Sequence, residues 1–213
     1  MSIETRSPTQ KIYYDPLSVA RRTRQVVYGV EEHDKKVMLE TILHDHPSQQ
    51  VVLLTKSKRR ANELGKYLEK QSITPTIIHG NHRAEDKEAG SKAFNTGASQ
   101  LLITTDMILQ SLRLETVDLL IHYDLPLEPK HYFDRLGFLK EKGASLACVS
   151  SSEEGLLGII EYLMKMDIAK AELEGFEHSF LEPSEEIKPP KAKRKKPRHK
   201  SQRAKKTPPS KEK

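Results

Sequence analysis

The chain has 213 residues, enough for one well-cored domain of roughly 150 to 180 residues plus a tail and too few for two such domains. Its single cysteine, Cys148, excludes a disulfide framework and a cysteine-built zinc centre and fits a reducing compartment, while the absence of ~18 consecutive apolar residues or an apolar core in Met1 to Lys11 predicts a soluble, non-secreted protein. The formal charge of +6 is uneven: Lys188 to Lys213 carries 13 Lys or Arg against one acid, Glu212, whereas the rest carries 23 bases against 29 acids.

In chain order, residues 1–23 read as an N-terminal arm, 24–180 as a folded domain and 181–213 as a basic tail. Within the domain, short β-branched or apolar runs alternate with segments of helical period. This pattern predicts α/β architecture, an open parallel sheet with helices on both faces. The predicted strands are Arg24 to Val30, Gln50 to Thr55, Thr74 to His79, Gln100 to Thr104, Asp118 to His122 and Ser145 to Ser150. After the second strand, Ala61, Leu64, Tyr67 and Leu68 form an apolar helical stripe, with Lys58, Arg59, Glu63, Lys66 and Glu69 on the wet side. Ser150 and Glu153 fit a capping box ahead of a second stripe, Leu156, Ile159, Ile160 and Leu163. The tail is rich in Pro, Lys and Arg and poor in large apolar side chains. It cannot offset the ~1 to 2 kcal/mol per residue of lost backbone entropy, so it is expected to be disordered.

Ligands of an open parallel sheet bind at the loops beyond the carboxyl ends of the strands. Those loops hold His79, Gly80 and Asn81, then Thr104, Thr105 and Asp106, then Tyr123 to Pro126. Glycine lets a backbone approach closely, and a threonine hydroxyl or a free N–H bonds a phosphate oxygen. The same residues also suit turns for purely geometric reasons.

Read together, these loops resemble the C-terminal, second RecA-like domain of DEAD-box ATP-dependent RNA helicases across roughly Arg24 to Leu163. Val51-Val52-Leu53-Leu54-Thr55-Lys56 is similar to the strand of the fourth motif, and Ile77-Ile78-His79-Gly80 to a "hydrophobic, hydrophobic, His, Gly" signature. Phe94-Asn95-Thr96-Gly97 resembles "F-x-x-G". Leu101-Leu102-Ile103-Thr104-Thr105-Asp106 resembles the fifth motif, and the run Val117 to Pro126 resembles "V-x-x-V-I-x-Y-D-x-P". Tyr132-Phe133-Asp134-Arg135-Leu136-Gly137 resembles the start of the sixth motif, "Y-x-H-R-x-G-R-x-x-R-x-G", with Gly143 at its last glycine.

The departures fall on chemistry. The resemblance places Arg113 where the family has an acid on the nucleotide ribose, Asp134 where it has histidine, and Phe138 and Glu141 where it has arginines that reach the ATP phosphates. Arg135 and Gly137 are the remnant of the sixth motif. Ala84 and Lys87 occupy the "Q-x-x-R" of the RNA grip. No G-x-x-x-x-G-K-[ST] phosphate loop occurs in the chain, and arginine fingers contribute 10³ to 10⁵ in rate where present, an order-of-magnitude figure from other systems. The expectation is therefore a degenerate domain without ATPase activity of its own, with no catalytic residue, no metal and no cofactor, ATP entering only if another chain supplied a first helicase domain.

Gly80, Lys87, Thr105 and Asp106 are the expected RNA contacts of the body, although turn chemistry alone also accounts for the loop residues. Arg135 is equally readable as a structural salt bridge, with Asp106 as its partner. Lys193, Arg194, Lys195, Lys196 and Arg198 are the expected phosphate contacts of the tail, since neutralised phosphates release counterions; the tail lacks aromatics, so no base stacking is expected. The expected partner class is RNA, structured or ribosomal, with a helicase or ribosomal protein as a further candidate partner; no membrane is expected, and the expected location is cytoplasmic. Two other functions remain open, a protein-interaction subunit and half of a split helicase.

Overall fold

Side chains alternate in direction along a strand, so a run such as Val51-Val52-Leu53-Leu54 requires cover on both faces of its sheet. The computed structural model describes residues 15–179 apart from Thr116, and it supplies that cover. Among the described residues one parallel sheet is built from β1 (Arg24–Gly29), β2 (Val51–Leu54), β3 (Thr76–Ile77), β4 (Leu101–Thr104), β5 (Val117–His122), β6 (Leu139–Val149) and β7 (Ala169–Ala171). Their order is β3-β4-β2-β5-β6-β1-β7. The helices are α1 (Pro16–Arg22), α2 (Lys35–Asp45), α3 (Lys58–Lys70), α4 (Ala84–Asn95), α5 (Asp106–Leu109), α6 (Pro129–Leu136) and α7 (Glu154–Met164).

The two-residue period sorts the core. Val51, Leu53, Leu101, Ile103, Leu119, Ile121, Leu146 and Cys148 pack on α2 and α3 through Met38, Leu39, Ile42, Ala61, Leu64 and Leu68. The alternate positions Val52, Leu54, Leu102 and Leu120 meet Phe94 of α4 and Ile108 and Leu109 of α5 on the other face. Farther along that face, Val27, Ala147 and Val149 meet Ala20 of α1, Tyr132, Phe133 and Leu136 of α6, and Leu157, Ile160 and Met164 of α7. The α3 stripe is as expected, with Tyr67 only partly buried.

Several boundaries differ from the sequence reading. The segment Thr74 to His79 contributes only Thr76 and Ile77 to a strand, because this edge pairs with β4 alone and Pro75 has no N–H to donate. β6 begins six residues early: Leu139 pairs with Val117 across a register shift before Ala144 meets Leu119. Within the stretch read as an arm, Pro16–Arg22 is helical, capped by Asp15, whose carboxylate accepts from the Leu17 N–H. β7 had no sequence signature, being three exposed residues beside Val26 to Tyr28. The capping box forms, with Ser150 and Glu153 bracketing a 3-10 turn ahead of α7. The α7 stripe is corrected: Leu157, Ile160 and Met164 face the core, while Ile159 and Leu163 face outward. The expected disorder of 181–213 and the boundary at residue 180 lie outside the described residues.

The "F-x-x-G" run has a physical account. Phe94 is buried in the core, and Gly97 follows α4 with φ +76°, the left-handed conformation that closes a helix end. Asn95 donates to the Arg113 carbonyl at 2.7 Å and accepts from the Glu115 N–H at 3.1 Å, pinning the loop that carries Arg113.

Candidate nucleic-acid interface

Because β3, β4, β2 and β5 lie side by side and parallel, the loops at their carboxyl ends converge. They enclose an open groove of about 750 Å³ lined by Thr55 to Lys58, Gly80, Asn81, Thr105 to Ile108, Gln110, Pro126 to Glu128 and His131. Its cationic side chains are Lys56 and Lys58, and the Lys58 ammonium donates to Asn81 Oδ1 at 3.2 Å. Ser57 caps α3 by accepting from the Arg60 N–H, so the positive end of α3 opens at the same edge. Met107 and Leu127 stand exposed on the rim.

Beneath the groove runs a buried polar relay. Arg135, 1% exposed, reaches from α6 and forks onto Asp106, Nε to Oδ1 at 2.5 Å and Nη2 to Oδ2 at 2.8 Å. Its Nη1 donates to the Asp124 carbonyl at 3.1 Å and lies 2.7 Å from His122 Nδ1. Burial, and then the Arg135 charge, hold His122 well below its usual pKa. A neutral ring accepting at Nδ1 carries its proton on Nε2, which lies 2.9 Å from Ser145 Oγ and donates there. Tyr132 stacks on the same ring at 4.5 Å. The alternation of β5 sends His122 to the α6 face, which brings Arg135 and Asp106 within reach.

Two further ion pairs fix the neighbouring loops. Lys35 is fully buried, its ammonium bonded to Glu153 and to the Tyr123 carbonyl at 3.0 Å. Glu153 also accepts from the Leu125 N–H at 3.0 Å. Burial works to raise the Glu153 carboxyl, yet the Lys35 hydrogen bond and charge hold it below its usual value. Asp124 accepts from the Lys56 N–H at 2.9 Å and pairs with Arg60, which also holds Glu32. On β3's loop, His79 is buried beside His82, ring centroids 4.1 Å apart, with Asn62 Oδ1 3.1 Å from its Nε2. Burial, then His82 and Lys58, lower its pKa.

The structure brings Gly80, Thr105 and Asp106 into the groove. Asp106 gives both carboxylate oxygens to Arg135, so the group it offers a phosphate is its backbone. Lys87 lies elsewhere, in a hollow of about 610 Å³ with Ala84, Glu88, Ser91 and Arg113. Gly137 ends α6 at the surface, and Arg135 is inside the fold. Lys193, Arg194, Lys195, Lys196 and Arg198 lie outside the described residues. Phe138 packs against the cluster of Leu109, Leu112 and Val117, Glu141 is exposed, and Lys140 pairs with Asp118. Lys56, Asn81 and His131 were not singled out from sequence as contacts; Lys56 stands one residue beyond the same strand-end position that flagged the others. Cys148 is buried with its thiol pushed up to about 12 by burial, an unreactive state. Among the described residues no group of three or more His, Cys, Asp or Glu is placed to hold a metal, and no helix is long and apolar enough to cross a membrane.

Residues 34–137 match the family described as helicase conserved C-terminal domain. The chain is 32% identical over 160 residues to ATP-dependent RNA helicase SUB2-2 of Vanderwaltozyma polyspora, covering 73% of this chain and 36% of that protein. SUB2 of Saccharomyces cerevisiae matches at the same identity and coverage. The chain thus spans about a third of the length of these curated relatives. Among solved structures, the fold is similar to the E. coli DEAD-box protein SrmB bound to regulator of ribonuclease activity A, with a TM-score of 0.69 at 20% identity over 76% of this chain and 98% of that one. It is also similar to the C-terminal domain of the DEAD-box protein Dbp5, with a TM-score of 0.64 at 24% identity over 71% and 91%.

Proposed function

From a chain that carries a helicase conserved C-terminal domain, the second RecA-like domain of DEAD-box RNA helicases, we propose a non-catalytic RNA-binding role. The groove at the sheet edge contacts the RNA backbone, and the basic segment Lys188 to Lys213 adds sequence-independent affinity. RNA is the ligand class because the relatives are named ATP-dependent RNA helicases, and structured or ribosomal RNA is the form of it we propose. A cytoplasmic location fits the single reduced thiol and an RNA-rich compartment.

One observation carries the catalytic half of this reading: the positions that match the family's arginine fingers no longer offer a cation. Phe138 is turned into an apolar cluster and has no donor, and Glu141 repels phosphate. Arg135, the arginine that remains of the motif, is committed to Asp106, His122 and the Asp124 carbonyl inside the fold. The sheet edge offers lysines and a glycine while the two finger positions offer no cation, which favours holding RNA over working on it.

Filter binding of the full chain to RNA at several salt concentrations, together with an ATPase assay with and without RNA, tests both halves. The expected result is salt-dependent RNA binding with no nucleotide turnover above a protein-free control. Turnover that follows the protein through purification, or RNA binding indifferent to salt, would overturn it.

A further inference from the structure

Helix α7 is apolar on two faces. Leu157, Ile160 and Met164 fill the core beneath it. The opposite stripe, Gly155, Gly158, Ile159, Tyr162 and Leu163, is exposed, with Tyr162 80%, Ile159 49% and Leu163 42% accessible, and exposed Met166 follows the left-handed cap Lys165 just beyond the helix. A helix lying on a single domain normally presents polar side chains there, and a contiguous apolar patch marks an interaction surface.

The two ends of the stripe are unlike. At the N-terminal end, a Cβ added to Gly155 or Gly158 would meet nothing within 4 Å, so the helix surface is notched there. At the C-terminal end, Tyr162, Leu163 and Met166 project, and they border a hollow of about 510 Å³ that Gly158 also lines. Charge divides the same way: exposed Glu154 opens the helix and exposed Lys165 caps it.

Such a stripe complements itself only when turned end for end. An antiparallel pairing about a two-fold axis near residues 160 and 161 sets Leu163 of each copy near Gly158 of the other and Tyr162 near Ile159. It also brings Glu154 within a turn of the other copy's Lys165 and opposes the helix dipoles favourably. A parallel pairing would stack notch on notch and Glu154 on Glu154. We propose that the outer face of α7 is a homodimerisation surface, packed antiparallel against α7 of a second copy of this chain.

Sedimentation equilibrium of the nuclease-treated full chain tests this. The expected result is a concentration-dependent monomer–dimer equilibrium, with Tyr162→Asp raising the dimer dissociation constant by roughly tenfold or more. Gly158→Leu is expected to weaken the dimer similarly while leaving the thermal midpoint at or above wild type, because leucine is the better helix former. Glu154→Lys and Lys165→Glu each weaken association, and together they restore it. A chain that stays monomeric to its solubility limit overturns the proposal. So does a dimer indifferent to Tyr162→Asp and Gly158→Leu, or charge reversals that fail to rescue each other. If the chain is monomeric and Tyr162 resists nitration until residues 180–213 are removed, the stripe is covered from within the chain and the proposal is equally refuted.

Discussion

The Arg135 guanidinium closes on the Asp106 carboxylate in a two-point fork, joining the end of α6 to the start of α5 beneath the groove. Because Arg135 is 1% exposed and also holds His122 and the Asp124 carbonyl, its loss leaves several buried polar groups without partners. Arg135→Ala is expected to cost roughly 1 to 3 kcal/mol of stability in urea unfolding for each buried acceptor it strands, His122 Nδ1 and the Asp124 carbonyl, whereas Asp106 at the groove wall is left to solvent. Arg135→Lys recovers only part of that, lacking the planar fork. In a double-mutant cycle with Asp106→Ala, a coupling energy near zero would show that the pair is not the stabilising element.

His122 gives the fold a pH dependence of defined sign. The unfolded chain protonates this histidine near its ordinary value of 6.5, whereas the folded chain resists protonation until well below it, through burial and then the Arg135 charge. The unfolded state therefore binds the proton first. The contribution of His122 is whole above about pH 6.5 and is lost as pH falls through that value toward the folded one, with a slope approaching ~1.4 kcal/mol per pH unit for one proton. Buried His79 pulls in the same direction. Unfolding free energies between pH 7.5 and pH 5, roughly the window in which histidine alone titrates, should fall for wild type and flatten for His122→Asn. An unchanged slope in that variant would assign the effect elsewhere.

Most of the scaffold was readable because buried parallel strands leave nearly unbroken apolar runs, as in Val51 to Leu54 and Leu101 to Thr104. The strand ends pointed to Gly80, Thr105 and Asp106, and all three meet in the groove. What escaped was decided by tertiary partners. Lys35 looks like an ordinary surface lysine in sequence, yet it is buried because Glu153 and the Tyr123 carbonyl converge on it. Ile159 and Leu163 fit a core stripe as well as Leu157 and Met164 do, and only the position of α1 and α6 selects between the two. β7 carries no pattern, since its pairing with β1 is made by backbone alone.

Restoring family-like arginines should damage this fold before it aids catalysis. Phe138 packs on the cluster that contains Leu109, Leu112 and Val117, and trading that contact for a guanidinium costs about 1 kcal/mol or more of lost apolar burial. Phe138→Arg with Glu141→Arg is expected to unfold at lower temperature than wild type and to show no RNA-stimulated ATPase. A gain of turnover would mean that the remaining triphosphate machinery is present and that these two positions alone silenced it.

RNA affinity should divide unequally between the basic segment and the groove, and salt dependence separates the two. Each phosphate neutralised on single-stranded RNA contributes ~0.7 to the slope of log affinity against log salt. Residues 188–213 hold 13 of the chain's 36 Lys and Arg, whereas the groove presents Lys56 and Lys58 and the separate α4 hollow Lys87 and Arg113. Truncation after Ile187 should therefore remove most of the slope and weaken binding uniformly across RNA sequences. Lys58→Glu made in the truncated chain should lower the residual slope by about 0.7, because its ammonium sits at the groove mouth beside Asn81. Lys87→Glu in the same background tests whether the α4 hollow shares the RNA path: a change equal to that of Lys58→Glu places both on it, and no change confines the RNA to the sheet edge. Should the truncated chain keep the full slope, the basic segment is not the electrostatic anchor and the groove must carry the affinity alone.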